Sequence, residues 1–203
     1  MRLDQPHNLG MRPKPVILAF DTTAAQCAAA LLCDGNLLAV RVDPMAKGQA
    51  EHLMGMLADI LSAHGLSWHD LTAVGVGTGP GNFTGIRISV SAARGLALGL
   101  GIPAIGVNGF DAAAHGLPRP LTIALPAPRE MAYLQDMDGM SPPRLVPIAA
   151  AQGAQWPGPA DAMIAAVARI AAQRCHSVQP RPAPLYVRPP DAAPSRDAAP
   201  ILL

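Results

Sequence analysis

Apolar residues run in short unbroken blocks near the start of the chain and at helical spacing farther on. Val16-Ile17-Leu18-Ala19-Phe20 is continuous and stops at Asp21-Thr22-Thr23, the pattern of a central strand entering a polar turn. Cys27 to Leu32 is a second apolar run. Asp34-Gly35 separates it from Asn36-Leu37-Leu38-Ala39-Val40, and Asp-Gly between two apolar runs is a strong hairpin signal. Three neighbouring, antiparallel strands are therefore expected. Residues 49 to 64 predict a helix, with Leu53, Leu57, Ile60 and His64 on one face. Ala50, Met54, Met56 and Leu61 widen its apolar arc to roughly 160°, more than one core contact requires. Glu51, Gly55, Asp59 and Ser62 mark its solvated side, and Gly65 ends it. His64, on the apolar edge, is read as packed or interfacial.

Leu71 to Thr78 predicts a strand, and Gly79 to Gly85 a loop. A second helix is expected over about Thr84 to Gly99. On its wheel Val90, Ala93, Ala97 and Leu100 fall within about 40° of Ile86. The opposite face carries Ile88, Ala92, Gly95 and Gly99, also apolar and mostly small. A helix apolar nearly all round is buried on two sides, by its own sheet and by a neighbouring helix or another subunit. Ile102 to Val107 is a further strand. Beyond Pro118 the character changes, because 16 of the 22 prolines lie in the last 86 residues. Strands are expected at Leu121–Leu125 and Met131–Asp136, and an Ala-rich helix at about Ala160–Gln173. Ser141–Pro147 and Pro180–Pro200 are expected to be extended or loose. The α/β pattern thus divides into a disordered leader over 1–14, a first lobe over 15–108, and a shortened second lobe with a Pro-rich tail over 109–203. Met1 and Met11 are both candidate starts.

Composition narrows the function classes. The net charge is +1, too small for a surface that grips nucleic acid unaided. Aromatics at 3% are too few for a platform that stacks single strands. Three cysteines with no Cys-x-x-Cys pair exclude a disulfide scaffold or a zinc ribbon, and Cys27 reads as an inert core thiol. No apolar run is long enough for a signal core or a spanning helix, so the expected location is the cytoplasm.

Two segments carry candidate chemistry. Asp21-Thr22-Thr23, at a strand end, has the groups for a phosphate turn with Mg²⁺, or for an Asx turn that merely opens a hairpin. Gly79-Pro80-Gly81-Asn82-Phe83-Thr84-Gly85-Ile86-Arg87 sets backbone N–H groups at a helix start. That arrangement suits an anion, or a tight connection capped by Asn82 or Thr84. The six histidines form no metal pair at helical spacing. Ser89 and Ser91 lie inside a helix, and no set of nucleophile, base and orienting group emerges.

The stretches Ile17–Thr23, Gly79–Arg87, Gly95-Leu96-Ala97-Leu98-Gly99 and Ile102–Val107, in this order and spacing, strongly resemble the bacterial TsaB (YeaZ) family. Pro184-Leu185-Tyr186-Val187-Arg188 looks like that family's closing element. The resemblance implies an α/β actin/hexokinase/Hsp70-like (ASKHA) two-lobed fold, here with a reduced second lobe. It also implies a part in making N6-threonylcarbamoyladenosine at position 37 of tRNA. In that pathway the family supplies a non-catalytic subunit that binds and activates the transferase TsaD. The ATPase TsaE joins the pair, and TsaC supplies threonylcarbamoyl-AMP.

Several expectations follow from the resemblance. The partner-facing set is read as Leu53, Met54, Leu57, Leu61, Ile86, Arg87, Val90, Ala93, Arg94 and Ala97. A homodimer is expected when the protein is alone, and contact with tRNA only through the complex. No intrinsic cofactor is implied, with ATP and Mg²⁺ bound weakly or at the complex interface. The transferase paralogue carries two metal-binding histidines where Val107-Asn108-Gly109-Phe110-Asp111-Ala112-Ala113 stands here. Gly109 and Ala113 fill those positions, so neither catalysis nor a metal is expected. Pro126-Ala127-Pro128-Arg129-Glu130-Met131-Ala132-Tyr133 replaces the family's Asp-Ala-Arg segment, which removes the basis for a nucleotide contact from the second lobe. The competing reading is a nucleotide-dependent ATPase or kinase using Asp21-Thr22-Thr23 as a phosphate hairpin. A peptidase would need a metal pair or a nucleophile.

Overall fold

The structure is a computed structural model and describes residues 15–187. The expected leader over 1–14, and the tail beyond residue 187 with Arg188 of the closing element, lie outside the described residues.

Strands β1 (Val16–Asp21), β2 (Gln26–Cys33) and β3 (Asn36–Pro44) form an antiparallel meander. Asp34 and Gly35 turn the β2–β3 hairpin with φ of 53° and 79°, the left-handed pair a two-residue loop of this kind needs. Helix α1 (Gln49–Ala63) leads to β4 (Ala73–Gly77), α2 (Phe83–Leu100) and β5 (Ala104–Val107). β4 and β5 join in parallel, giving the order β3-β2-β1-β4-β5. Alternate residues of β1 face opposite sides, as strand geometry dictates. Leu18 and Phe20 pack with Leu53, Leu57 and Ala93 of α1 and α2. Ile17 and Ala19 pack with Ile164, Val167 and Ala168 of α4 (Ala160–Arg174).

This last contact corrects the expected division of the chain. The Ala-rich helix was assigned with 109–203 to the second lobe, but it covers the far face of the first sheet. Its alanines allow the close approach: a Cβ on Gly75 would lie only 2.9 Å from that of Ala171. The first lobe is thus a helix–sheet–helix sandwich completed by a late segment of the chain.

The short helix α3 (Gly109–Ala113) follows β5, and then β6 (Thr122–Ala127), β7 (Met131–Asp136) and β8 (Arg144–Pro147) build a three-stranded antiparallel sheet. α3 was not expected. β8 falls in the stretch 141–147 expected to be extended or loose, and it is extended and paired at the sheet edge, where proline deprives no inner neighbour of a hydrogen bond. One face of this sheet rests on Phe110 of α3, and among the described residues the other is covered by the 3-10 turn Ile148–Ala151 and the segment around Trp156. That is the reduced second lobe. The α/β actin-like (ASKHA) architecture agrees with the expectation.

Candidate functional site

Two places gather the residues singled out in the sequence: the cleft at the carboxyl end of β1, and the outer surface of α1 and α2. Asp21 ends β1 beside Gly77 of β4. A Cβ on Gly77 would fall 1.8 Å from Asp21 Oδ2, so the carboxyl group lies directly over that glycine. Asp21 Oδ1 accepts a hydrogen bond from the Thr23 N–H. Thr22 is fully buried, and its hydroxyl donates to the Gly85 carbonyl at 2.6 Å. The Asn82 N–H donates to the Thr23 carbonyl at 2.7 Å, while the Asn82 side chain caps α2 by accepting from the Gly85 N–H at 2.8 Å. A Cβ on Gly81 or Gly85 would come within 2.4 Å of the Thr23 carbonyl or 1.9 Å of the Thr22 carbonyl. The Gly-rich loop is therefore built to lie flat against the β1–β2 turn. Of the two readings of this loop, the tight capped connection holds, with Asn82 as the cap.

The turn and loop border a cavity of about 470 Å³ between the two sheets, closed on the far side by Leu125–Pro128 and Tyr133 and below by Met163 and Ile164. An ASKHA fold implies a nucleotide here, so the fit was tested against the donors present. The Thr22 hydroxyl, the Thr23 N–H and the Asn82 N–H are already engaged with protein atoms. Among the described residues no Lys, Arg or His lines the cavity, and Asp21 is its one carboxylate. A phosphate here would have to bring its own cation, such as Mg²⁺, which the Asp21 carboxylate could hold. In this structure Asp21, Thr22 and Thr23 hold the Gly-rich loop. Gly109 and Ala113, one turn apart on α3, offer no ligand atom, and among the described residues no three His, Cys, Asp or Glu side chains cluster as a metal site would require.

Burial raises the Asp21 carboxyl above its ordinary value, outweighing the hydrogen bonds from Thr23 that lower it. Among the described residues no ion pair reaches it, and the other ionisable wall residue is Tyr133. The sign follows by linkage. The folded protein binds this proton more tightly than the unfolded chain, so the contribution of Asp21 is full below the unfolded pKa and is lost as pH rises through the folded one. Above the unfolded pKa this carboxyl therefore costs the folded state stability. Asp21→Asn, which keeps the acceptor for the Thr23 N–H, is expected to be more stable than the parent at pH 7, with a margin that shrinks towards pH 4. Urea denaturation of both proteins across that range checks this, and a margin independent of pH would contradict it. Asp43, Asp70, Asp136 and Asp138 are shifted the opposite way by their hydrogen bonds, and their acid-side losses cancel in the comparison.

On the helices the ten residues expected to face a partner separate into two groups. Leu53, Leu57, Leu61, Ile86, Val90 and Ala93 are at most 3% exposed, packed beneath α1 and α2 in the chain's own core. They are corrected from partner-facing to core, because the β4–β1 side of the sheet claims that face of α2. Ser89 on the same face confirms the orientation, donating to the Gly77 carbonyl at 3.2 Å. Ala97 is half-buried, while Met54, Arg87 and Arg94 are exposed. Arg87 is occupied within the chain. Its guanidinium lies 3.9 Å over the Phe83 ring, and Nε donates to the Tyr186 hydroxyl at 3.1 Å. Tyr186 in turn stacks on Phe83, which ties the closing segment to the start of α2. His64, expected to be packed or interfacial, is exposed at the C-cap of α1, with Nδ1 2.9 Å from the Ile60 carbonyl.

The open face of α2 is the one opposite Ile86. Ala92, Gly95, Leu96, Gly99 and Leu100 line a shallow groove with Met54 of α1 and with Trp68 and His69 of the loop that follows. Leu98, on the rim of the same helix, is 85% exposed. The Gly95 and Gly99 positions stand open, with nothing within 4 Å of where a Cβ would be. Sequence reasoning had noted the small residues but assigned the partner to the other face. The remaining candidate, Cys27, is buried, and burial followed by the charge of Asp43 pushes its thiol up to about 11, which leaves it unreactive.

Comparison with known proteins adds the relatives of this arrangement. A family model described as "TsaD: tRNA N6-adenosine threonylcarbamoyltransferase" matches residues 44–141. The chain is 40% identical over 100 residues to the tRNA threonylcarbamoyladenosine biosynthesis protein TsaB of Escherichia coli, covering 49% of this chain and 43% of that protein. It thus spans less than half the length of that curated relative. An uncharacterized protein of Mycobacterium tuberculosis is 31% identical over 200 residues, covering 88% of this chain and 94% of its own. The solved structure of YeaZ from Pseudomonas aeruginosa superposes with a TM-score of 0.65 at 22% identity, over 85% of this chain and all of that one, which supports the fold. Motifs, topology and relatives agree in their likeness to the TsaB (YeaZ) family.

Proposed function

We propose that this protein is the non-catalytic scaffold subunit of a tRNA N6-threonylcarbamoyladenosine synthesis complex, and that it binds and activates the transferase TsaD. The observation that carries the reading is the open face of α2. It is apolar, long and stepped with glycines, and it forms a groove with Met54 and Trp68 that accepts a helix of comparable shape. Small residues on a helix face let a second backbone approach closely. The relatives' names give the pathway, since the E. coli and Haemophilus influenzae proteins are both tRNA threonylcarbamoyladenosine biosynthesis proteins. The chemistry of the described residues supports a scaffold over an enzyme. The cleft has no basic residue for a phosphate, and the positions of the transferase's metal pair are Gly109 and Ala113. TsaE joining the pair, and tRNA reached through the complex, belong to the same reading.

Light scattering coupled to size-exclusion chromatography tests it, on this chain alone and mixed with TsaD of the same organism. The expected result is a 1:1 heterodimer that forms at the expense of a homodimer. A protein whose mass is unchanged by TsaD would overturn the proposal.

A further inference from the structure

The cleft beside the β1–β2 turn is not featureless. Its volume of about 470 Å³ lies within the range of small-molecule sites, and it sits where two sheets meet, a favoured place for such sites. Its walls are apolar: Leu125, Pro126 and Ala127 face Met163, Ile164 and Val167 across it. One charged group reaches it, the carboxyl of Asp21, held in place from below by Gly77 and from the side by the Thr23 N–H. A ligand that suits this arrangement carries a single positive charge and an apolar body. It would form a charge-assisted hydrogen bond with the half-buried carboxyl and cover the proline and methionine walls with its own apolar surface.

We infer that the inter-sheet cleft is a binding site for a small monocationic ligand with an apolar body, an amine or amidine, whose charged end is held by Asp21. An anion of the same shape is excluded by the same carboxylate. The inference is independent of the helix groove, and stands whether or not TsaD binds there.

Benzamidine serves as the probe, with benzoate as its anionic counterpart and ATP with Mg²⁺ as the nucleotide control. Binding to the full chain is read by titration calorimetry, with ligand-observed NMR for weak affinities. Benzamidine is expected to bind in the millimolar range or better, and benzoate and ATP not to bind. Asp21→Asn is expected to weaken benzamidine by about tenfold or more, the loss of one buried charge pair. Ala127→Phe, which fills the cleft from the β6 wall and leaves Asp21 untouched, is expected to weaken it as well. Circular dichroism and a thermal melt confirm that each variant is folded. The inference is overturned if benzamidine fails to bind at about 10 mM, if benzoate binds as tightly, or if Asp21→Asn binds benzamidine unchanged. ATP binding that Asp21→Asn abolishes would overturn it too, and would restore the nucleotide reading.

Discussion

Gly85→Ala is expected to unfold the first lobe at moderate temperature. The new methyl carbon would stand 1.9 Å from the Thr22 carbonyl oxygen, a backbone atom in the sheet-end turn that has nowhere to retreat. Either α2 lifts off the sheet or the β1–β2 turn moves, and both moves break the 2.6 Å hydrogen bond from the buried Thr22 hydroxyl to the Gly85 carbonyl. Overpacking of this kind, with a buried hydroxyl left unpaired, costs on the order of 4 kcal/mol. Domains of this size hold only about 5–15 kcal/mol in total, so the loss is a large share. Asn82→Ala is the control. It removes the α2 cap without adding an atom and is expected to cost about 1 kcal/mol. Guanidinium denaturation followed by circular dichroism compares the two. A Gly85→Ala protein no less stable than Asn82→Ala would show that the loop does not press on Thr22.

Gly95→Glu is expected to abolish pairing with TsaD and leave the fold intact. Gly95 is exposed, and nothing lies within 4 Å of its Cβ position. Replacing an interior helical glycine removes a backbone-entropy penalty of up to about 1 kcal/mol, so the variant is expected to melt at or above the parent temperature. In the complex the same side chain would bring a charge and five heavy atoms into a close helix contact. Desolvating an unpaired carboxylate and prying the helices apart is expected to weaken association by about a hundredfold or more. Val90→Glu makes the contrast. Val90 is 3% exposed beneath α2, so a charge there is expected to destroy the fold before any partner is met. Calorimetry of the folded variant with TsaD gives the affinity, and the melt gives the stability. If Gly95→Glu retains parental affinity, the partner does not use this face.

These two variants mark where the chain was legible and where it was not. The Asp34-Gly35 hairpin, β1 and the ends of α1 could be read locally, because turn chemistry and period act over a few residues. The helical span of α2 was legible for the same reason. Its orientation was not. Ile86, Val90 and Ala93 form one apolar face and Ile88, Ala92 and Gly95 another, and a wheel does not say which one the sheet takes. Ser89 carried a faint signal: a hydroxyl amid that first face finds its partner at the Gly77 carbonyl only if the face looks inward. The Asp21-Thr22-Thr23 turn was open to two readings because a free hydroxyl and an engaged one are spelled alike. Gly81 and Gly85 could be recognised as special, but the carbonyls that exclude a side chain there come from residues about sixty positions earlier.

The chain by itself determined strands β1 to β7 and the three long helices, since each rests on period or short spacing, and it carried the motifs that resemble the TsaB family. Only the tertiary structure decided which face of α2 stays open, that α4 returns to cover the first sheet, that β8 pairs despite its prolines, and that Asp21 stands alone over an apolar cleft. Each of these is a choice between surfaces of similar hydrophobicity. The hydrophobic effect has no direction, so the choice falls to shape, to the reach of the chain and to where a buried hydrogen bond can be completed.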